Sequence, residues 1–159
     1  MAQLRRPFRL NLGFFSVQPL GYQREFPFRI ETYTLPPDLD LREIDGSLFI
    51  TRAQQGLRVE GAFRAITQLV CVRCLEQTDF PIETRFEEVY NYRGSPLSED
   101  EQEIPEDGFI DFESVLRDYF ILEIPMTPLC RADCAGLCSL CGQNLNLRGC
   151  EHHPNTDAR

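Results

Sequence analysis

The sequence predicts an α+β fold: an antiparallel, barrel-like β-sheet with one main helix and a C-terminal tail stapled by its cysteines. Three observations support this. Apolar residues alternate with polar ones over long stretches between 47 and 89, the pattern of strands with one buried face. A later stretch from 111 switches to helical spacing. Five of the seven cysteines, with both histidines, then crowd into positions 130–153, and the other two form a close pair upstream, Cys71 and Cys74.

Taken in order, residues 8–15 alternate Phe8, Leu10, Leu12 and Phe14 with Arg9, Asn11 and Gly13, which predicts a strand. Residues 19–47 are rich in Pro and Gly and read as irregular, with one short strand at 28–32. From Ser47 the alternation is steady: Leu48 and Ile50, then Leu57, Val59, Phe63 and Ala65 after a Gln–Gly turn, then Phe80, Ile82, Thr84 and Phe86. This is a meander whose last hairpin carries Cys71 and Cys74 at its bend. Residues 94–108 are acidic and poor in apolar side chains, so they read as a solvated, mobile loop. Asp111 can cap the helix, Glu113 suits its positive end, and Phe112, Val115, Leu116, Tyr119 and Phe120 form its apolar stripe. Pro125 ends it. The expectation is one domain over 1–159, with a core at about 45–128 and a metal-binding tail at 129–153.

Hydrophobic residues at 42% and charged residues at 26% are ordinary for a globular chain. No apolar run approaches the roughly 20 residues that cross a bilayer. Arg5–Arg6 hints at a twin-arginine signal, but Arg9, Asn11 and Gln18 break any apolar region after it. The chain is therefore expected to be cytoplasmic, with no membrane partner. Charge is uneven: +3 over residues 1–74, −12 over 75–126 and zero over 127–159, with no lysine. An acidic total speaks against wrapping nucleic acid over the whole surface, while a local arginine face remains open.

An odd number of cysteines at C-x-x-C spacing suits a metal better than a disulfide framework. Zinc takes four N or S donors in a tetrahedron, usually offered as close pairs. Cys138, Cys141, Cys150 and His152 form one compact set, with Gly142 where the knuckle must turn back. Cys71, Cys74, Cys130 and Cys134 would form a second set tying the hairpin to the tail. The alternatives are a single centre at Cys130, Cys134, Cys138 and Cys141, and His153 in place of His152. One or two zinc ions are thus expected. Cys71–Val–Arg–Cys74 also has the spacing of a redox dithiol, but such motifs open a helix and no helical pattern follows here. Glu87–Glu88 and Glu99–Asp100–Glu101 read as surface charge. No nucleophile–base set or phosphate loop is present, so no enzyme and no small-molecule substrate are expected.

The pieces Cys71–Val–Arg–Cys74–Leu75, Ile110–Asp111, Leu122 to Cys130, and Asp133 through the Cys138–Cys141 knuckle to Asn146 resemble the YceD family. That family is described as large ribosomal RNA subunit accumulation protein, and the similarity covers roughly 45–152. The resemblance implies a non-catalytic role in 23S rRNA accumulation or processing and in large-subunit assembly. It also implies Cys71, Cys74, Cys130 and Cys134 as one unit, with Cys138, Cys141, Cys150 and His152 as an added one. Many members carry a cysteine where His152 stands. Expected partners are a 23S rRNA precursor, a large-subunit ribosomal protein, or both. The arginines that would meet RNA are Arg5, Arg6, Arg9, Arg64 and Arg73, whereas the acidic 83–113 segment suits a basic ribosomal protein. A thiol–disulfide or redox-sensing protein using Cys71 and Cys74 is the alternative, and a zinc-stabilised module unrelated to ribosomes is a third.

Overall fold

The computed structural model describes residues 6–95 and 102–152. A short strand, β1 (Arg9–Asn11), leads into a 3-10 turn at Gly13–Val17. Four long strands follow: β2 (Gln23–Leu35), β3 (Leu39–Arg52), β4 (Gly56–Val70) and β5 (Gln77–Asn91). Next come β6 (Gln102–Glu103), β7 (Phe109–Asp111) and the helix α1 (Glu113–Glu123). The main sheet has the order β2-β3-β4-β5-β6, antiparallel except for β6, which lies parallel to the end of β5. β1 and β7 form a separate two-stranded ribbon.

The alternation read from β4 is realised. Leu57, Val59, Phe63 and Ala65 are buried, while Arg58, Arg64 and Gln68 are exposed. The matching face of β5 buries Ile82, Thr84, Phe86 and Tyr90. Against these pack Val115, Leu116 and Phe120 of α1 and Ile110 of β7. The core also begins upstream of residue 45, since Phe8, Leu12, Phe15, Leu35, Leu41 and Ile44 are all buried in it. Each such side chain contributes about 1.5–3 kcal/mol relative to exposure. Gly61 matters here because a Cβ on it would overlap the ring of Phe86, and that ring stacks on Tyr119 of α1 at 4.8 Å.

The sheet is not closed into a barrel, contrary to the expectation. Closure would bring β2 against β5 or β6, and α1 stands in that gap. At one end Tyr33 of β2 donates to the Glu113 carboxylate, and Arg117 donates to Asp38 over 2.7 Å. At the other, Tyr119 donates to Glu88 of β5 over 2.9 Å. A helix about 10 Å wide cannot share a space that strands bridge at about 4.8 Å.

Segment 19–47, expected to be irregular apart from a short strand at 28–32, supplies the whole of β2, which contains that strand, and the first part of β3. Pro27 is tolerated because β2 is an edge strand, where its missing N–H removes no ladder bond. Pro81 is tolerated likewise, since β6 flanks β5 only at Tyr90 and Asn91. The predicted strand at 8–15 shrinks to three residues. The Asn11 Oδ1 accepts the Gly13 N–H over 3.1 Å and turns the chain there. Of the acidic loop, residues 96–101 lie outside the described residues. Its second half is pinned to β5 by β6 and by the Ile104 N–H donating to the Asn91 carbonyl over 2.9 Å. The N-cap position of α1 falls to Phe112, which has no side-chain cap bond, while Asp111, the predicted cap, lies one residue before it and still accepts the Glu113 N–H over 3.1 Å.

Candidate metal centres

The β4–β5 ladder runs to the pair Val70↔Gln77, leaving residues 71–76 as the bend. Two hydrogen bonds close this bend: Cys71 N–H to the Glu76 carbonyl and Leu75 N–H to the Cys71 carbonyl, each 2.9 Å. Leu75 adopts φ +61°, the left-handed turn that Gly142, at φ +72°, makes after the second knuckle without a side-chain penalty. Beyond α1, Pro125–Pro128 returns the chain to this bend, and the Val72 N–H donates to the Pro128 carbonyl over 2.9 Å. That contact delivers Cys130 and Cys134. The Cys74 and Cys130 sulfurs stand 3.6 Å apart, and those of Cys71 and Cys134 3.8 Å apart.

A tetrahedral centre with metal–sulfur bonds of about 2.3 Å separates its sulfurs by about 3.8 Å. A disulfide needs about 2.05 Å. All four donor atoms lie within 4.8 Å of one another, and Cys71, Cys74 and Cys134 are buried. The donor set and spacing fit a metal ion. Local dipoles fit as well. The Cys74 backbone N–H holds the Cys71 thiol down at about 6, and the Asn146 side-chain amide lowers that of Cys134. Loss of hydration pushes Cys130 up to about 12, so that thiol gives up its proton only to a metal or a strong base.

Cys138, Cys141, Cys150 and His152 form the second group, their ligand atoms also within 4.8 Å of one another. The backbone N–H groups of Cys141 and Leu140 hold the Cys138 thiol at about 7. This group is the more open one: Cys138 is buried, but Cys141 and His152 are exposed. His153 lies outside the described residues. The single centre of Cys130, Cys134, Cys138 and Cys141 is not the grouping found, because Cys130 and Cys134 are gathered with the hairpin pair.

The loop between Cys141 and Cys150 holds two residues, Asn144 and Asn146, that close the family-like stretch and were given no role in it. Asn146 Oδ1 accepts from Arg131 and from the Ala135 N–H, both over 2.8 Å. Its Nδ2 donates to Cys134 Sγ over 3.3 Å. Asn144 Nδ2 donates to Glu76 Oε1 over 2.8 Å. The only signal in the sequence was Asn–Leu–Asn between two ligands. Gly136, at φ +77°, lets the backbone pass Arg73 closely: a Cβ there would lie 3.1 Å from the Arg73 carbonyl oxygen.

Of the arginines proposed for RNA, Arg6 and Arg9 line one cleft with Asp107 and Asp111, whereas Arg64 and Arg73 lie elsewhere. Arg5 lies outside the described residues. Arg6 pairs with Asp111 at 3.2 Å, and Arg9 pairs with Asp107 at 3.3 Å while lying over the Phe109 ring at 4.7 Å. Arg64 pairs with Asp45 at 2.7 Å on the outer face of the sheet. Arg73 sits in the cysteine bend and donates to the Cys134 carbonyl over 3.0 Å.

The family model described as large ribosomal RNA subunit accumulation protein YceD matches residues 59–159. The chain belongs to the YceD family. The matched part of this YceD chain includes β5, α1, nearly all of β4 and both cysteine groups. It is similar to an uncharacterized protein of Mycobacterium tuberculosis, 33% identical over 126 residues, which is 77% of this chain and 58% of the relative. A Mycobacterium leprae protein, also described as uncharacterized, is 30% identical over 126 residues, 77% of this chain and 55% of the relative. An Arabidopsis thaliana protein described as large ribosomal RNA subunit accumulation protein YCED homolog 1, chloroplastic, is 29% identical over 135 residues, 66% of this chain and 42% of the relative. This YceD chain thus spans between 42% and 58% of the length of these relatives. No solved structure matches it.

Proposed function

We propose that this chain is a non-catalytic, single-domain assembly factor that supports accumulation of 23S rRNA and large-subunit biogenesis, with a docking platform held by two structural zinc ions. The observation that carries the zinc reading is the pair of four-donor groups, one with sulfurs 3.6 and 3.8 Å apart. Four protein donors leave no position for water, and a zinc site of that kind contributes folding free energy and no Lewis-acid chemistry. The ribosomal reading rests on the family and on the printed description of its plant relatives. Among the described residues no helix is long and apolar enough to cross a membrane. A cytoplasmic place fits ribosome assembly, although the plant relatives are described as chloroplastic.

The charge distribution favours a basic large-subunit protein as the direct partner. Arg6, Arg9 and Arg64 are each ion-paired with an aspartate, and the middle of the chain carries the excess of acids. Direct phosphate contact needs clustered positive charge that can displace counterions. A contact with rRNA through Arg5, Arg6, Arg9, Arg64 and Arg73 is the second reading, favoured by Arg9 lying over the exposed Phe109 ring, a surface on which a base can stack. Depletion of the protein should lower mature 23S rRNA and large subunits; unchanged levels of both would remove the ribosomal role. Zinc near two per chain with no titratable thiols is expected, whereas one zinc and reactive thiols at Cys71 and Cys74 would favour the redox reading. Crosslinking from an 83–113 probe to a ribosomal protein supports the first partner, and salt-sensitive binding to a 23S fragment supports the second.

A further inference from the structure

The loop that belongs to the second cysteine group reaches into the first. It leaves Cys141 and returns at Cys150, both members of the second group. At its middle, Asn146 Nδ2 lies 3.3 Å from Cys134 Sγ, a member of the first. The amide orientation is fixed by its surroundings. Arg131 and the Ala135 N–H both donate, and both point at one atom of Asn146, so that atom is the oxygen and the nitrogen faces the sulfur. A second strap runs alongside: Asn144 Nδ2 donates to Glu76 Oε1, while the Glu76 carbonyl accepts from the Cys71 N–H. Leu145 N–H to the Gly136 carbonyl, 2.9 Å, lays the loop against the first knuckle.

We infer that the two centres are energetically coupled, with Asn146 as the positioning residue that couples them: closing the second centre delivers its amide to the Cys134 thiolate of the first. This rests on both groups holding metal. An all-thiolate centre concentrates negative charge on sulfur, and N–H donors to sulfur offset it. Outer contacts of this kind typically change metal affinity by about 10–100-fold. A metal joining Cys141 to Cys150 removes the closure entropy of the loop, so Asn146 arrives already ordered. Linkage makes the effect reciprocal, and metal at the first centre must tighten the second by the same factor.

The test is cobalt(II) titration of the full chain, where the all-sulfur and the Cys3His centres give distinguishable d–d and thiolate charge-transfer bands. N146D keeps the acceptor oxygen for Arg131 and Ala135 but loses the donor to Cys134 Sγ and to Asn144 Oδ1. It should lower first-centre affinity at least tenfold and move that centre's charge-transfer band to lower energy, while the second centre's ligand set and band stay in place. C141S should lower first-centre affinity by a similar factor, and the double variant N146D/C141S should lose little more than either alone. In the wild type, a chelator should strip the second centre first, with loss from the first accelerating only afterwards; this measurement needs no variant to fold. Unchanged first-centre affinity in N146D, additive losses in the double variant, or independent single-exponential release would each overturn the coupling while leaving the metal reading intact. A wild-type chain that binds fewer than two cobalt ions would overturn both.

Discussion

Cys71 and Cys134 lie 63 residues apart in the chain, yet their sulfurs stand 3.8 Å apart. Between them the end of the β4–β5 hairpin and the tail beyond α1 become one unit. The contact draws on two separate pieces of folding, the ladder that ends at Val70↔Gln77 and the Pro128 carbonyl that receives the Val72 N–H.

Metal removal should therefore loosen this end of the molecule and spare the sheet. After exhaustive chelation, amide exchange should accelerate strongly at Val72 and Leu137, whose N–H groups reach the Pro128 and Arg73 carbonyls. Val59 and Phe63, in the middle of β4, should keep their protection, because their ladders are independent of the bend. Full protection at Val72 and Leu137 in metal-free protein would contradict a metal clamp.

The two groups should tolerate damage unequally. C74S removes a buried donor that joins hairpin to tail, while C141S removes an exposed one within the tail. In thermal melts C74S should cost several degrees, and C141S, which weakens the first centre without removing one of its ligands, should cost clearly less. Equal losses would show that the tail as a whole supports the sheet.

Leu75 is 63% exposed and sits at φ +61°. A left-handed backbone costs a non-glycine residue roughly 1–2 kcal/mol. L75G should therefore stabilise the folded protein by up to about 1 kcal/mol, while β-branched L75V should destabilise it by about as much. Urea melts of the two variants against wild type check the sign.

Gly61 to alanine is expected to be severe for so small a change. The added methyl overlaps the Phe86 ring, which is stacked between Phe63 at 6.5 Å and Tyr119 at 4.8 Å. Overpacking of this kind costs about 1–3 kcal/mol. The loss should appear in urea melts together with loosened packing of α1.

Metal affinity should rise with pH, because the metal replaces protons on the thiols. Cys130, pushed up to about 12, must release a proton at any ordinary pH. Cys138, at about 7, and Cys71, at about 6, add to the competition only as pH falls through those values. The logarithm of affinity against pH should thus steepen below about 6 at the first centre, which holds Cys71, and below about 7 at the second, which holds Cys138. Competition titrations between pH 5 and 9 check this, and a flat profile would show that thiolates are not the donors.

The sequence made some of this legible and hid the rest for identifiable reasons. Strands β4 and β5, the helix and the hairpin position of Cys71 and Cys74 were readable because period-two and helical spacing are local and survive wherever a single face is buried. Strand β2 was read only over 28–32, because Pro27 cut it short: an edge position, which excuses a proline, is a property of neighbours and not of the residue. The open sheet escaped for a similar reason: nothing in a run of alternating residues says whether a helix will stand between its first and last strands. Asn146 was visible as the end of the family-like stretch, but nothing local to it announced a contact with Cys134.

The chemistry of the cysteines was set by composition and spacing, because a C-x-x-C turn aims two sulfurs together whatever surrounds it. Which pairs meet, and that one loop touches both groups, depended on the register of a hairpin and the exit of a helix. Those are long-range geometries that exist only once the core between them has packed.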